Sequence, residues 1–446
     1  MKINPHIIKS YDIRGVYPSE INEESAFKIG QAFVAHTSAR KIALGRDGRI
    51  SSPALYRALT KGITSQGCDV YSIGEVPTEG MYFTAVNYGY DAGIMVTASH
   101  NPKEYNGFKM IKKTESGIFD VVRGSDLAKI VEGNFKDNEI FGEVKDLNFW
   151  PDYVSHVLSF VDLEKISPLK VVVDASNGMA GKAVQMIKDS LLAEIIPLNF
   201  NIDGNFPAHE PNPLSENSRK QISSEVIGKR ADFGVIFDGD GDRVYLIDER
   251  GQSVRGDIAF LLLVRHFLKK YPGKGVAYNL ICSKAVPETI GKMGGIPIKT
   301  KVGYVNVSRG LIQNDGVVSG EISGHYSFKD NYYFDSGIIA FLVFLQIISE
   351  SGKKLSEILE DFPHYAISEE QNFKVGDKKA ILDKAKKKYS RGKQDFLDGI
   401  TVEYRDWWFN LRPSNTEPLL RLTVEADNKI ILKKKIKELT DFVKSF

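Results

Sequence analysis

Cysteine is scarce in this sequence, which also lacks an excess charge of one sign and a long apolar run. Its 446 residues contain two cysteines, Cys68 and Cys282, too few for a disulfide framework and without metal-site spacing, so we expect buried free thiols. The net charge of +2 gives no electrostatic reason to expect nucleic acid or membrane partners. The longest apolar stretch, 337–344, is too short to cross a bilayer and predicts a core helix.

The N-terminus also lacks an apolar signal core, because it begins Met1-Lys2-Ile3-Asn4-Pro5. Hydrophobic residues at 42% and charged residues at 26% are ordinary for a soluble globular protein. These features together favour a cytoplasmic location. The length predicts about three domains, with room for about four small ones.

A serine follows the first of two apolar runs that predict buried strands. The run 92–96 leads into Thr-Ala-Ser-His-Asn-Pro at 97–102. Ser99 is therefore predicted in a loop at the carboxyl end of a strand, where open α/β sheets carry their chemistry. Small or polar neighbours favour an exposed hydroxyl, although an ordinary Ser/Asn/Pro turn is the alternative. No Gly-x-Ser-x-Gly elbow surrounds the serine, so hydrolase-type acyl transfer is not indicated.

The second apolar run, 233–237, leads into three aspartates at alternating positions, Asp238, Asp240 and Asp242. The glycines between them let the backbone curl so that the carboxylates can reach one point. Concentrated negative charge needs a cation, and all-oxygen ligation suits a hard ion such as Mg²⁺. A solvated Asp-Gly turn is the alternative, but a turn needs neither three aspartates nor the arginine that follows.

A calcium EF-hand also begins with alternating aspartates and would place Glu249 at its twelfth position. Its sixth position requires glycine, but Arg243 stands there. Residues 244–247 predict a strand, and no flanking helix pair is evident. The EF-hand is therefore rejected.

A serine beside a divalent ion and an arginine indicates phosphoryl transfer, which depends on positioning and charge neutralisation. The serine and aspartate loops together resemble those of the α-D-phosphohexomutase superfamily, and most closely its bacterial phosphomannomutase/phosphoglucomutase members. Gly-Glu-Ile-Ser-Gly-His at 320–325 resembles the family's sugar-binding loop, and Arg-Pro-Ser-Asn-Thr-Glu-Pro at 412–418 resembles its phosphate-binding loop. The four motifs occur in the family's order, and the resemblance covers essentially the whole chain.

An internal repeat predicts three related α/β domains with mixed, mostly parallel sheets. Strand, loop, helix and strand follow one another from Lys41, again from Leu169 and again from Gly275. After Pro363 the order βαβββα predicts a C-terminal α+β domain. The predicted domains are 1–148 with the serine loop, 149–250 with the metal loop, 251–365 with the sugar loop and 366–446 with the phosphate loop. The resemblance implies an active site in the central cleft.

The resemblance implies reversible phosphoryl transfer between C1 and C6 of a hexose phosphate. Phosphorylated Ser99 would donate to a hexose 1-phosphate, and the resulting hexose 1,6-bisphosphate would turn end for end and return its other phosphate. Mg²⁺ would be ligated by Asp238, Asp240, Asp242 and the phosphorylated Ser99. The hexose 1,6-bisphosphate is thus both the intermediate and an activator. The expected partners are hexose phosphates. The chain is expected to be a monomer or a dimer.

The resemblance also assigns residues around the transferring phosphoryl group. Arg14, Lys109 and Arg243 would stabilise its charge, and Lys109 would assist proton transfer. His325 is a proton-transfer residue in this scheme, since histidine has an ordinary pKa near neutrality. His100 would order the serine loop. Without the resemblance, Arg14 and Lys109 would be interpreted as surface charges.

The remaining residues of the implied site would bind substrate. Glu321 can accept hydrogen bonds from neighbouring sugar hydroxyls in both orientations, and Ser323 can add one more. Guanidinium groups, hydroxyls and backbone amides would hold the non-reacting phosphate, and these come from Arg412, Ser414, Asn415, Thr416 and Arg421. Further substrate contacts are implied for Tyr11, Lys301, Gly303 and Tyr304.

The preferred sugar stays open at this level. The sugar loop and Glu-Tyr-Asn-Gly at 104–107 resemble phosphomannomutases, which often also act on glucose phosphates. Phosphoglucosamine mutases, the alternative, tend to have Gly where this chain has Asn415, and Tyr304 replaces a histidine of some dual-specificity relatives. Two other classes of function are alternatives to a mutase. A magnesium-dependent sugar-phosphate phosphatase would typically use an aspartate nucleophile. A non-catalytic sugar-phosphate-binding protein could lose Ser99 or the aspartates, which this chain has.

Overall fold

The computed structural model describes residues 3–9, 11–414 and 419–446. The chain divides into two units, Met1–Leu263 with Ser323–Ile358, and Val264–Ile322 with Leu359–Phe446. This division is coarser than the predicted one, so the four sets of domain boundaries stay a prediction. The architecture itself is the predicted combination of α/β domains with mixed sheets and a C-terminal α+β domain.

The first sheet lies in the first unit and contains the serine loop. Its elements are β1 (Ile13–Val16), α1 (Glu23–Thr37), β2 (Lys41–Arg46), α2 (Ser52–Thr64), β3 (Asp69–Glu75), α3 (Thr78–Asn87), β4 (Ala92–Val96), β5 (Tyr105–Lys113), β6 (Phe119–Val121), α4 (Gly124–Leu127) and β7 (Val144–Asp146). The strand order is β1-β5-β4-β2-β3-β7, with β6 beside β5. Strands β4, β2, β3 and β7 are parallel, whereas β5 runs antiparallel to β4, β1 and β6.

The second sheet, also in the first unit, repeats this plan and contains the aspartate loop. Its elements are α5 (Trp150–Leu158), β8 (Lys170–Asp174), α6 (Ala180–Ile187), β9 (Glu194–Leu198), α7 (Glu216–Lys229), β10 (Phe233–Phe237), β11 (Val244–Asp248) and β12 (Ser253–Val254). The order is β12-β11-β10-β8-β9. All five residues of β4 and of β10 are buried, because elements cover both faces of these central strands. Strand β11 stands where an EF-hand would have a helix, which confirms the rejection of that site.

The third repeat begins after α8 (Gly256–Lys270) and lies in the second unit. It consists of β13 (Gly275–Asn279), α9 (Ala285–Lys292), β14 (Ile296–Thr300), α10 (Tyr304–Gln313) and β15 (Val318–Gly320), with β13 parallel to both other strands. The chain continues through β16 (Tyr326–Phe328), α11 (Gly337–Ser351) and α12 (Leu355–Leu359). Helix α11 is the predicted core helix, buried on all sides from Gly337 to Ser349. Short 3₁₀ turns occur at Pro5–Ile7, Leu163–Lys165, Lys188–Ser190 and Lys329–Asn331.

The C-terminal domain is an antiparallel sheet with two helices. Its elements are β17 (Ala366–Ile367), β18 (Gln371–Lys374), α13 (Lys378–Lys388), β19 (Lys393–Asp395), β20 (Ile400–Glu403), β21 (Trp407–Pro413), β22 (Leu419–Ala426) and α14 (Lys429–Lys444). The order is β17-β22-β21-β20-β19, with β18 beside β22. The prediction of βαβββα was incomplete, because β17 and β19 are only two and three residues long and have no readable alternation.

Candidate active site

Ser99 lies three residues beyond the carboxyl end of β4 and is in the left-handed region, with φ +50°. Its backbone N–H donates to Thr97 Oγ1 at 2.9 Å, which stabilises this conformation. The side-chain Oγ donates to Asp238 Oδ2 at 2.9 Å and lies 3.1 Å from His100 Nδ1. The position at a strand end is as predicted, but the expected exposure is wrong. Ser99 is only 3% exposed, because the aspartate loop covers it.

The serine loop is held by Arg49, a buried residue that sequence analysis did not place in the site. Its Nη2 donates to the carbonyls of Ser99 (2.8 Å) and Asn101 (2.7 Å). Its Nη1 donates to the carbonyls of Pro102 (2.7 Å) and Tyr105 (3.1 Å). The Nε atom donates to the Asp47 carboxylate at 3.1 Å. All three nitrogens are thus used, and four of the five bonds determine the path of the loop.

The aspartate loop packs directly against the serine loop. Gly239 has to be a glycine, since a Cβ there would lie 2.7 Å from the Ser99 carbonyl oxygen. The neighbouring carboxylates are at most 1% exposed and each offers an oxygen within 4.8 Å of the others, and they belong to Asp238, Asp240 and Asp242. The predicted convergence of the three aspartates is therefore present in the structure.

Lys109 and Arg243 neutralise part of this negative charge. Lys109 Nζ donates to Asp240 Oδ2 at 2.7 Å and to Asp242 Oδ2, and Arg243 Nε donates to Asp238 Oδ2 at 2.8 Å. Burial would raise the pKa of Asp240, but the Lys109 ammonium outweighs it and holds that pKa below its usual range. Burial, together with the Asp240 charge, raises the pKa of Asp242 well above its usual range. The two cations therefore do not neutralise all three carboxylates.

Three carboxylates facing two cations, with two oxygens that lack a hydrogen bond within the described part of the chain, fit a divalent cation. Asp240 Oδ1 and Asp242 Oδ1 are buried and have no hydrogen-bond partner among residues 3–9, 11–414 and 419–446. Such oxygens are costly to bury unless a cation or donor reaches them. A set of carboxylate oxygens suits a hard cation. The cluster therefore has the donor chemistry of a metal site.

His325 lies beside the same cluster, next to Arg243 through an isolated β-bridge. Its Nδ1 is 2.8 Å from Ser323 Oγ, and its Nε2 is 3.7 Å from both Asp242 Oδ1 and Asp335 Oδ2. Burial, reinforced by the Arg243 and Lys109 charges, lowers the pKa of His325 well below its ordinary value. Burial therefore favours the neutral form of this imidazole.

Arg14 and His100 complete the surroundings of Ser99. Arg14 lies on β1, and its Nη1 donates to Asn101 Oδ1 at 2.6 Å. Burial, then the charges of Arg243 and Arg14, lowers the pKa of His100 well below its ordinary value. Lys109 is 4% exposed and Arg14 is half-buried, so neither is the surface charge that the sequence would indicate without the resemblance. Tyr11 lies two residues before β1 and is half-buried.

The predicted sugar-binding residues of the second unit are partly assembled. Glu321 is 3% exposed, and its Oε1 accepts hydrogen bonds from Asn279 Nδ2 at 2.8 Å and from the Gly303 N–H at 3.2 Å. Gly303 has φ +114° and immediately precedes α10, which begins at Tyr304. Lys301 is exposed in the same connection. Glu321 is thus held at the start of α10, a contact that the sequence did not predict.

The predicted phosphate-binding arginines lie side by side in the C-terminal domain. Arg412 on β21 and Arg421 on β22 are register partners, and both form ion pairs with Glu370. The Ser414 N–H donates to the Leu419 carbonyl at 2.8 Å. Asn415 and Thr416 lie outside the described residues.

Sequence analysis also missed two residues that approach the cluster from other segments. Thr78 Oγ1 donates to Asp240 Oδ2 at 2.5 Å, and Asp335 places a buried carboxylate near His325. Neither belongs to a recognisable motif, so only the tertiary structure could identify them. Helix α3 brings Thr78 and also Glu79 to this region.

The buried carboxyl of Glu79 is expected to make the free energy of unfolding depend on pH. It is 2% exposed, and burial raises its pKa from 4.5 to about 8. Between these values the folded state keeps a proton that the unfolded state releases, so the free energy of unfolding falls as pH rises, by about 1.4 kcal/mol per pH unit. We expect Glu79→Gln, which stays neutral, to gain stability relative to wild type between pH 5 and pH 8, by about 2 kcal/mol or more. Urea unfolding of both proteins with chelator present would measure this, and parallel pH profiles would contradict it.

Comparison with known proteins agrees with the fold. Models of the phosphoglucomutase/phosphomannomutase family match in order: alpha/beta/alpha domain I at 5–126, domain II at 151–251, domain III at 255–365 and the C-terminal domain at 370–441. A phosphomannomutase of Methanocaldococcus jannaschii is 37% identical over 98% of this chain and 97% of its own length. Within the described residues, no helix is both long and apolar enough to span a membrane.

Solved structures extend the comparison. A phosphoglucomutase/phosphomannomutase family protein of Burkholderia thailandensis superposes with a TM-score of 0.89 and 32% identity, covering 100% of this chain and 98% of that one. The N-acetylphosphoglucosamine mutase of Aspergillus fumigatus, solved with GlcNAc-6P and magnesium, gives 0.64 at 13% identity over 98% and 96% of the two chains, which supports the fold alone.

Fold, site and comparisons define an isomerase that acts on hexose phosphates. The chain belongs to the phosphoglucomutase/phosphomannomutase family, and it is therefore a phosphohexomutase.

Proposed function

We propose that this phosphohexomutase interconverts mannose 1-phosphate and mannose 6-phosphate, with glucose phosphates as a second substrate pair. The relative from Methanocaldococcus jannaschii, 37% identical, is a phosphomannomutase, which supports mannose. The observation that carries the mechanism is the hydrogen bond from Ser99 Oγ to Asp238, which joins a nucleophilic hydroxyl to the aspartate cluster.

In the proposed reaction, Ser99 carries a phosphoryl group between substrates. The 6-hydroxyl of a hexose 1-phosphate loses its proton and forms a new O–P bond while the bond from Ser99 Oγ to phosphorus breaks. The product is a hexose 1,6-bisphosphate, which returns its other phosphoryl group to Ser99 after turning. His325, whose neutral form is favoured by burial, is proposed to accept the hydroxyl proton and to return it in the reverse step.

Three basic residues support the transfer by stabilising negative charge. Arg14, Lys109 and Arg243 are each held by neighbours, so little reorganisation is needed when the charge moves. His100 contacts Ser99 Oγ and is proposed to order the loop. Arg49 holds the loop backbone and thereby sets the direction of the Ser99 hydroxyl.

We further propose Mg²⁺ as the cation of the aspartate cluster. Asp238, Asp240 and Asp242 would hold it together with an oxygen of phosphorylated Ser99. The bound ion would supply charge neutralisation for the phosphoryl group. Lys109 pairs with two of these aspartates in the structure, which keeps the carboxylates together before a cation binds.

Substrate recognition is proposed to use two further sets of residues. The first binds the sugar and consists of Tyr11, Lys301, Gly303, Tyr304, Glu321, Ser323 and His325. The second binds the non-reacting phosphate and consists of Arg412, Ser414, Asn415, Thr416 and Arg421. Arginine forks and backbone amides match phosphate oxygens and contact no sugar-specific group, so they can serve both substrate orientations.

A coupled assay with three substrates tests the proposed function. With Mg²⁺ and a trace of glucose 1,6-bisphosphate, we expect mannose 1-phosphate and glucose 1-phosphate to give their 6-phosphates. The kcat/KM for glucosamine 1-phosphate should be at least about tenfold lower than that for mannose 1-phosphate, because an ammonium replaces a hydroxyl at the sugar site. Release of inorganic phosphate without an isomer would indicate a phosphatase, and a preference for glucosamine would indicate a phosphoglucosamine mutase.

A further inference from the structure

Two arginines of the C-terminal sheet lie directly opposite each other. In the antiparallel pair β21 and β22, Arg412 is the register partner of Arg421. Directly opposed side chains lie on the same face of a sheet, and like charges in this arrangement repel. Arg412 is 3% exposed, so water screens its charge poorly. The pair therefore requires an anion to hold both guanidinium groups together.

Glu370 supplies that anion from the residue just before a third strand, β18. Its Oε2 is 2.5 Å from Arg412 Nη2, and its Oε1 is 3.1 Å from Arg421 Nη1. Glu370 directly precedes β18, which pairs with β22 so that Asn372 lies opposite Arg421. One carboxylate thus bridges two arginines on neighbouring strands, and its position is set by the sheet.

The bridge itself occupies only part of each guanidinium group. A guanidinium group has five N–H donors, and each contact with Glu370 involves one nitrogen of the fork. Arg412 is additionally held on its other side, where Nη1 lies 3.5 Å from Asn410 Oδ1. Both forks are therefore oriented before any ligand arrives, which reduces the entropy that binding would cost.

We propose that Glu370 is a positioning residue for the substrate's non-reacting phosphate. It holds Arg412 and Arg421 in a phosphate-binding arrangement by screening their repulsion, and it stays in place when the phosphate binds. The inference rests on the proposed function of these two arginines. It contrasts with the possibility that the carboxylate occupies the phosphate's own place and competes with it.

The test compares Glu370→Gln with Glu369→Gln, an exposed neighbour that loses the same charge. We expect Glu370→Gln to raise the KM for mannose 1-phosphate and the inhibition constant of inorganic phosphate about fivefold each, with kcat changed less than about twofold. Glu369→Gln should match wild type in all three constants. A lower inhibition constant for phosphate in Glu370→Gln would overturn the proposal in favour of competition, and unchanged constants would overturn it as well.

The arginine variants separate this inference from the proposed function. Arg421→Ala should itself weaken phosphate binding, and adding Glu370→Gln to it should cost much less than in wild type, because Glu370 acts through the arginine pair. Full additivity in folded protein, verified by thermal unfolding, would overturn the positioning role. If Arg412→Ala and Arg421→Ala both bind phosphate normally, the proposed phosphate site is wrong. If Glu370→Gln binds phosphate normally while both arginine variants bind it weakly, the positioning role of Glu370 is wrong and the proposed phosphate site stands.

Discussion

Ser99→Ala is expected to lower mutase activity at least about a thousandfold, because the variant has no oxygen to carry the phosphoryl group. Intact-mass measurement after incubation with glucose 1,6-bisphosphate should find one added phosphoryl group on wild type and none on the variant. Both readouts depend on the same atom, Ser99 Oγ, which already contacts Asp238 and His100.

Ser176→Ala is a matched control for this variant. Ser176 is another buried serine with a left-handed backbone, φ +53°, just beyond a parallel strand, and its Oγ donates to the Phe237 carbonyl at 2.5 Å. Its loss should lower thermal stability but leave the phosphoryl adduct intact. An adduct that persists in Ser99→Ala would show that the carrier is a different residue.

Asp240→Asn is expected to lower activity more than about tenfold and to raise the Mg²⁺ concentration for half-maximal activity by a similar factor. The change removes one of three converging carboxylates, and it also removes the charge of one carboxylate that pairs with Lys109. A second readout does not depend on activity: Mg²⁺ should raise the melting temperature of wild type but not of the variant, since binding to the folded state stabilises it.

Asp248→Asn serves as the control for the metal prediction. Asp248 ends strand β11 and is 6% exposed, but its carboxylate accepts hydrogen bonds from the backbone N–H groups of Arg250 and Gln252. This variant should keep the wild-type response to Mg²⁺ even if its turn is destabilised. Full wild-type activity in excess chelator would contradict the metal assignment altogether.

Much of the fold was predictable because its signals are local. The apolar runs that became β4 and β10 each end in a loop with unusual polar residues, and both loops lie where those strand ends predict. The convergence of Asp238 and Asp240 was also predictable, because glycines alternate with them. Burial of Ser99 was not, since it arises when two loops from different sheets pack together.

The residues that escaped prediction share a different property. Arg49, Thr78 and Asp335 each reach the site from a separate segment, and none is part of a motif around its own position. Glu370 is 42 residues from Arg412, and no periodicity connects them. Such contacts depend on how strands pair and helices pack, which a linear pattern does not encode.

The hydrogen bonds from Arg49 to the serine loop have a consequence for protein engineering. Four carbonyls between Ser99 and Tyr105, the first residue of β5, accept hydrogen bonds from a guanidinium group 50 residues before Ser99 in the chain. Grafting the six-residue serine loop, 97–102, alone onto another scaffold would therefore transfer its sequence but not its conformation. A transplant would have to carry Arg49 and its partner Asp47 as well, so the smallest portable unit is a pair of loops from two adjacent strands of the sheet.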